Sequence, residues 1–176
     1  MRIFLLKFDA TRIFVSMRFF SVAVVVMLSL LACSEVFGPN ETVSRAYGDY
    51  IYASKEGALE SGWLPREIPV SAHEIVESHN VDSNEMWVRF NYENEGVSGF
   101  IDGCEVRSNP LFPNARRTRR NAPWWPERLM QGKEDEVLVG YTFYWCPRMI
   151  HASTELPAQV AIDHPGRVIW YWVGRQ

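Results

Sequence analysis

The chain has 176 residues, with 18 Lys and Arg against 21 Asp and Glu for a formal net charge of −3. That balance argues against nucleic acid as a partner, because a phosphate backbone is held by clustered positive charge. The length beyond the N-terminal region leaves room for one hydrophobic core and not two. All seven tryptophans lie at or after Trp63, so that core is expected to be densely aromatic.

Met17-Arg18 opens an apolar run, Phe19 to Leu31, that closes on Leu30-Leu31-Ala32-Cys33. The run is shorter than the roughly 20 apolar residues a helical membrane span needs. It fits the apolar region of about 7–15 residues in a secretory signal, which follows a positive start and precedes a small residue at the cut. Residues 1–32 therefore read as a signal peptide, with Met17 the better start because Asp9 interrupts the positive region before it. The ending resembles the lipobox of bacterial lipoproteins. The resemblance implies that Cys33 is diacylated, becomes the mature N-terminus and holds the chain on a membrane through its lipid. Several acyl chains on one residue make such an anchor stable where one would not. By the sorting rule of such lipoproteins, Ser34 after the cysteine favours the outer membrane, with the folded part facing the periplasm. An uncleaved anchor helix, or an ordinary signal with a chance cysteine, are the alternatives.

Setting aside Arg2, Lys7, Arg12 and Arg18 of the 18 basic residues and Asp9 of the 21 acidic ones leaves 14 against 20, a net of −6. With Cys33 lipidated, only Cys104 and Cys146 remain. An even count in an oxidising compartment predicts one disulfide between them; two buried thiols are the alternative. Neither has a second cysteine or a histidine at ligand spacing, so no metal site is assigned.

Residues 33–46 read as lipid attachment and a polar tether centred on Gly38-Pro39-Asn40, and 47–176 as a single domain. Tyr47 to Tyr52 is expected as a first strand. Ser54 is placed to cap a helix over Lys55–Ser61 that Gly62 stops, and Pro65 and Pro69 hold the next connection extended. Ser71 and Glu74 form a capping box, with Val70 and Ile75 as a staple, which predicts a second helix from Ala72 to His79. From Met86 the period becomes two: Met86, Val88, Phe90 and Tyr92 on one side, Trp87, Arg89 and Asn91 on the other. A turn at Glu95-Gly96, a short strand within Val97–Val106 carrying Cys104, and a long proline-rich loop over 108–131 follow. Glu136 to Cys146 reads as a strand with Tyr141, Phe143 and Trp145 on one face. Gln159–Ile162 and Val168–Val173 then form a hairpin across Asp163-His164-Pro165-Gly166. Together these predict an α+β domain, two short N-terminal helices packed on an antiparallel sheet of four to five strands.

No catalytic, cofactor-binding or metal-ligating residue is assigned. His73-Glu74 is followed by Glu77 where a zinc protease needs histidine. Glu74 and Asp82 have capping and turn roles, which weakens any acid/base reading of Glu74, Glu77, Asp82 and Glu85. No glycine-rich phosphate loop, G-x-S-x-G or C-x-x-C is present. The sharpest surface feature is Arg116, Arg117, Arg119 and Arg120, followed by Trp124-Trp125-Pro126. It is the candidate partner surface, for anionic lipid head groups, lipopolysaccharide phosphates or an acidic envelope protein. A solvated charged loop is the competing reading. The tryptophans suit a core plug, with one of the pair exposed.

The set Gly62-Trp63-Leu64-Pro65, Ile68-Pro69-x-Ser71, Asp82-x-Asn84-Glu85 and Trp124-Trp125-Pro126 is similar to a family of small bacterial lipoproteins. That resemblance implies an address in the cell envelope and no particular activity. The expectation is a membrane-anchored lipoprotein acting as a binding or structural module. A hydrolase of envelope polymers using Glu74 or Glu85, and an inhibitor or immunity-type lipoprotein, are the alternatives.

Overall fold

A computed structural model of the chain describes residues 42–93, 96–132 and 138–174. The signal sequence, Cys33 and Ser34 lie outside the described residues. In chain order the elements are β1 (Thr42–Asp49), α1 (Tyr50–Lys55), β2 (His73–Asn80), β3 (Glu85–Asn91), α2 (Val97–Phe100), β4 (Glu105–Val106), α3 (Ala115–Asn121), a 3₁₀ turn (Glu127–Leu129), β5 (Tyr141–His151), β6 (Thr154–Asp163) and β7 (Val168–Val173). The seven strands form one sheet in the order β1-β2-β3-β7-β6-β5-β4, with every neighbouring pair antiparallel. Consecutive strands pair within each half, and β7 returns to dock on β3, joining the halves.

Because side chains alternate along a strand, two adjacent rows across the sheet show what each face does. One row runs Arg45, Glu77, Val88, Tyr171, Val160 and Tyr144. It belongs to a core that α1, the 56–72 connection and α2 cover with Ala53, Leu59, Leu64, Ile68 and Phe100. The other runs Ser78, Trp87, Trp172, Gln159 and Trp145. Segment 107–132 covers most of this second face, packing Phe112, Ala122, Trp125, Leu129 and Met130 onto Trp87, Trp170 and Trp172.

The sheet therefore has seven strands rather than four or five, and the expected two-helix layer is replaced. Residues 72–79 are the main correction. Despite the capping box, His73–Asn80 is a strand paired on one edge with β1 and on the other with β3. The β-branched Ile75-Val76 favours that state, and a short helix has few internal hydrogen bonds to set against two ladders. Glu74, the expected capping residue, instead sits at φ +49° beside a bulge and accepts from Asn91 Nδ2 at 2.8 Å.

The first helix forms one turn earlier than expected. Asp49, not Ser54, is its cap, accepting from the Tyr52 amide at 2.8 Å. Tyr50–Tyr52 is consequently helical, and β1 begins at Thr42, inside the stretch the sequence assigns to a tether. Gly62 is needed for close approach rather than as a helix stop. Its φ is +77°, and a Cβ there would lie 3.2 Å from the Ala152 nitrogen. Val97–Phe100 is helical, leaving only Glu105–Val106 as β4. The expected loop over 108–131 holds α3 and the 3₁₀ turn. The alternation in β3 and the turn and pairing of the β6–β7 hairpin are as the sequence predicts, but β6 begins at Thr154 rather than Gln159, and β5 is described from Tyr141 and runs on to His151. The expected strand start at Glu136 lies outside the described residues.

Cys104 and Cys146 form a disulfide with a Cα–Cα distance of 4.2 Å, tying the entrance of β4 to its neighbour β5.

Candidate ligand-binding cleft

The residues expected to form a partner surface are mostly used to fasten the cover. The Asn114 side chain caps α3 by accepting from the Arg117 amide at 3.1 Å. Arg117 then pairs with the buried Glu85 at 3.1 Å, Arg119 with Glu127 at 3.1 Å, and Arg120 Nε donates to Asn121 Oδ1 at 3.2 Å. Arg116 is exposed and makes no ion pair with a described residue. Trp125 is buried edge-on against Trp170 and Trp172, with ring centroids 5.3 and 5.7 Å away, and donates its N–H to the Leu129 carbonyl. Trp124 is half-buried and donates to Ser78 Oγ at 3.1 Å. The tryptophan pair is thus a plug with one partly exposed member. It is not a platform.

Where the cover ends is more informative. Trp87 donates its N–H to Thr118 Oγ1, and Trp172 to the Leu111 carbonyl, with Phe112 stacked on the Trp172 ring. Beyond Trp172 the same row continues to Gln159 and Trp145, which line a cleft at the edge of the cover. A cleft of about 350 Å³ opens there between the 110–114 stretch and the sheet. A second hollow of about 280 Å³ shares Leu111, Trp145 and Gln159 with it and is completed by Arg107 and Asn109. Both volumes are near the lower end of the range for small-molecule sites, about 300–1,000 Å³. Gln159 is only 7% exposed, yet its amide has no hydrogen-bond partner among the described residues. Trp145 is half-buried, with neither a partner for its N–H nor a ring neighbour among them. Among the described residues, the two arginines at the cleft are balanced, Arg117 on Glu85 and Arg107 on Glu105 at 2.7 Å.

Glu85 is the single carboxylate among the described residues lining the cleft. Glu74 lies at the far end of the β2–β3 hairpin, next to Arg89 at 3.6 Å, whereas Glu85 pairs with Asn80 beside the turn. At about 3.3 Å per residue the two are too far apart for joint acid/base work.

On the opposite face a hollow of about 360 Å³ is lined by Trp63, His79, Asn80, Met86, His151 and Thr154. Both imidazoles are held by the fold. His79 Nδ1 lies 3.1 Å from Glu77 Oε2, and Trp63 is tilted over the His79 ring while the Arg45 guanidinium sits 3.6 Å above Trp63. His151 Nδ1 donates to the Gly62 carbonyl at 3.0 Å, and its Nε2 meets the Tyr171 hydroxyl. Glu77 is fully buried, and its Oε1 has no partner among the described residues. Burial pushes its carboxyl above the usual range, with His79 and Arg45 pulling the other way. Burial pushes the His151 imidazole below its usual value, the Gly62 hydrogen bond opposing, and the Tyr171 hydroxyl well above its own.

These two groups make stability depend on pH in opposite senses. Glu77 holds its proton more tightly folded than unfolded, so its contribution is full below the ordinary glutamate pKa of 4.5 and declines as pH rises through the folded value. His151 binds its proton less tightly folded, so its contribution is present above 6.5 and lost as pH falls through the depressed folded value. Glu77→Gln keeps an acceptor for His79 and removes the buried charge. Its urea midpoint relative to wild type is expected to rise from pH 4 to pH 8. Parallel curves at the two pH values would show that the buried carboxylate carries no such linkage.

The row that ends in Gln159 and Trp145 is visible only once β5, β6 and β7 are in register. A glutamine inside the apolar run Ala158-Gln159-Val160-Ala161-Ile162 was the signal available in the sequence. No curated protein and no solved structure matches the chain. The YbbD head domain family matches residues 41–91, the stretch holding β1, α1, β2 and β3, with the Gly62–Pro65 and Asp82–Glu85 motifs inside it and Trp124–Pro126 outside. Over its N-terminal three strands, then, this chain is similar to the YbbD head domain, and β5–β7 with their cover lie beyond the match.

Proposed function

We propose that the chain is a lipid-anchored, non-catalytic binding module of the bacterial cell envelope, acylated at Cys33, facing the periplasm and sorted to the outer membrane by Ser34. The observation that carries this reading is the Cys104–Cys146 disulfide, since such bridges form and persist in oxidising compartments and are rare in the cytosol. It joins the lipobox-like Leu30-Leu31-Ala32-Cys33, which supplies the route out and the anchor. Support for binding rather than turnover comes from the cleft, whose described residues combine an aromatic ring and an unpartnered amide with one carboxylate already paired to arginine. Of the predicted cationic surface, Arg116 and Arg120 are exposed on α3 and are the residues left to face anionic head groups or an acidic envelope protein.

Cells fed labelled palmitate are expected to label the wild-type band and not Cys33→Ser, with the variant released from the membrane fraction. A wild-type band that never takes up label would overturn the anchor.

A further inference from the structure

Resting on that reading, we propose that the groove at Trp145 and Gln159 binds a neutral saccharide unit of an envelope glycan. Gln159 is more than nine-tenths buried and lines both hollows, yet its amide is unpartnered among the described residues. The fold covers most of the residue but leaves its amide open to the cleft, so a ligand there meets a donor and an acceptor that no described residue takes. A carboxamide offers donors and an acceptor side by side, which matches the neighbouring hydroxyls of a sugar.

Trp145 lies directly across the β5–β6 ladder from Gln159. Its half-buried indole is a flat apolar surface with an electron-rich face, suited to the C–H face of a pyranose ring. Asn109 adds an exposed amide at the rim. Charge decides between saccharides. Arg107 and Arg117 are neutralised by Glu105 and Glu85, so among the described residues the groove offers no spare cation to a phosphate, sulfate or carboxylate. A proline-rich peptide would need a longer aromatic-lined groove, and here Phe112 and Trp172 are already sealed against each other and Leu111.

The test uses the full acylated chain in detergent, titrated by calorimetry with four probes: chitotetraose, cellotetraose, a heparin-derived tetrasaccharide and a proline-rich decapeptide. A neutral tetrasaccharide is expected to bind in preference to the heparin fragment and the peptide. Gln159→Leu and Trp145→Ala should each weaken it by about tenfold, the size of one lost hydrogen bond or stacking contact. Trp145→Phe, which keeps a ring, should retain most of the affinity, and Lys55→Ser, at the end of α1, should leave it unchanged. Unfolding midpoints separate loss of the site from loss of the fold, and Trp145→Phe keeps the test valid where Trp145→Ala does not fold. Absence of binding to both neutral sugars, preference for the heparin fragment or the peptide, or a Gln159→Leu variant that binds like wild type would overturn the proposal. A chain that takes up palmitate yet binds no sugar sinks only this inference; one that binds sugar without label sinks only the anchor.

Discussion

Replacing Cys104 and Cys146 together by serine is expected to lower the free energy of unfolding by about 4 kcal/mol, the chain-entropy value for a loop of this size. The bridge closes a separation of 42 residues that contains β4, α3 and the whole cover. In a domain this small, that is a large part of a total stability of about 5–15 kcal/mol. The midpoint of thermal unfolding should fall by roughly 10–20 °C. The loss should also be local. β4 has two residues and one strand neighbour, so without the bridge little but its ladder to β5 holds it. Hydrogen exchange in the cysteine variant should therefore rise first over Val97–Val106 and leave β3 and β7 protected, because those strands are paired on both sides. Thermal scans of wild type with and without reductant check the magnitude. An unchanged midpoint on reduction would mean that the sheet alone fixes this edge.

Trp125→Ala should cost about 3–5 kcal/mol, as large-to-small changes at buried aromatic sites do. Three features make it the pin of the cover. Its ring is 3% exposed, it stands edge-on to both Trp170 and Trp172, and its N–H holds the Leu129 carbonyl at the end of the segment. Removing it leaves a cavity between cover and sheet and frees the 3₁₀ turn. Limited proteolysis should then cut within 107–132 while the strands stay intact. Trp124→Ala is the control: half-buried and held by one hydrogen bond to Ser78, it should cost about 1 kcal/mol. Equal costs at the two positions would mean that the segment is held by its outer tryptophan, and that the plug is wrongly located.

The cover also accounts for two members of the arginine cluster. Arg117 and Arg119 read as free charge in the sequence because their acidic partners are distant in sequence or belong to another element. Glu85 is at the start of β3, and Glu127 is a turn beyond α3. Only folding brings them within 3.1 Å. The capping box at Ser71–Glu74 failed for a related reason. A local signal for a helix start competes with two strand ladders whose strength is set by residues 42–49 and 85–91. Where local and non-local agree, as in β3 and the β6–β7 hairpin, alternation alone was enough.

By itself, then, the sequence determined the period-two strands, the pairing of its last two cysteines and the aromatic character of the core, because alternation, an even thiol count and composition are properties of neighbours and totals. Which partner the strands outside the β6–β7 hairpin take, that the proline-rich stretch is a second layer and not a loop, and that the Gln159 amide, between Trp145 and Trp172, has no partner among the described residues were decided by the tertiary structure alone. Those facts depend on register between segments tens of residues apart. A shift of one residue in any of them would turn every side chain of that strand to the opposite face.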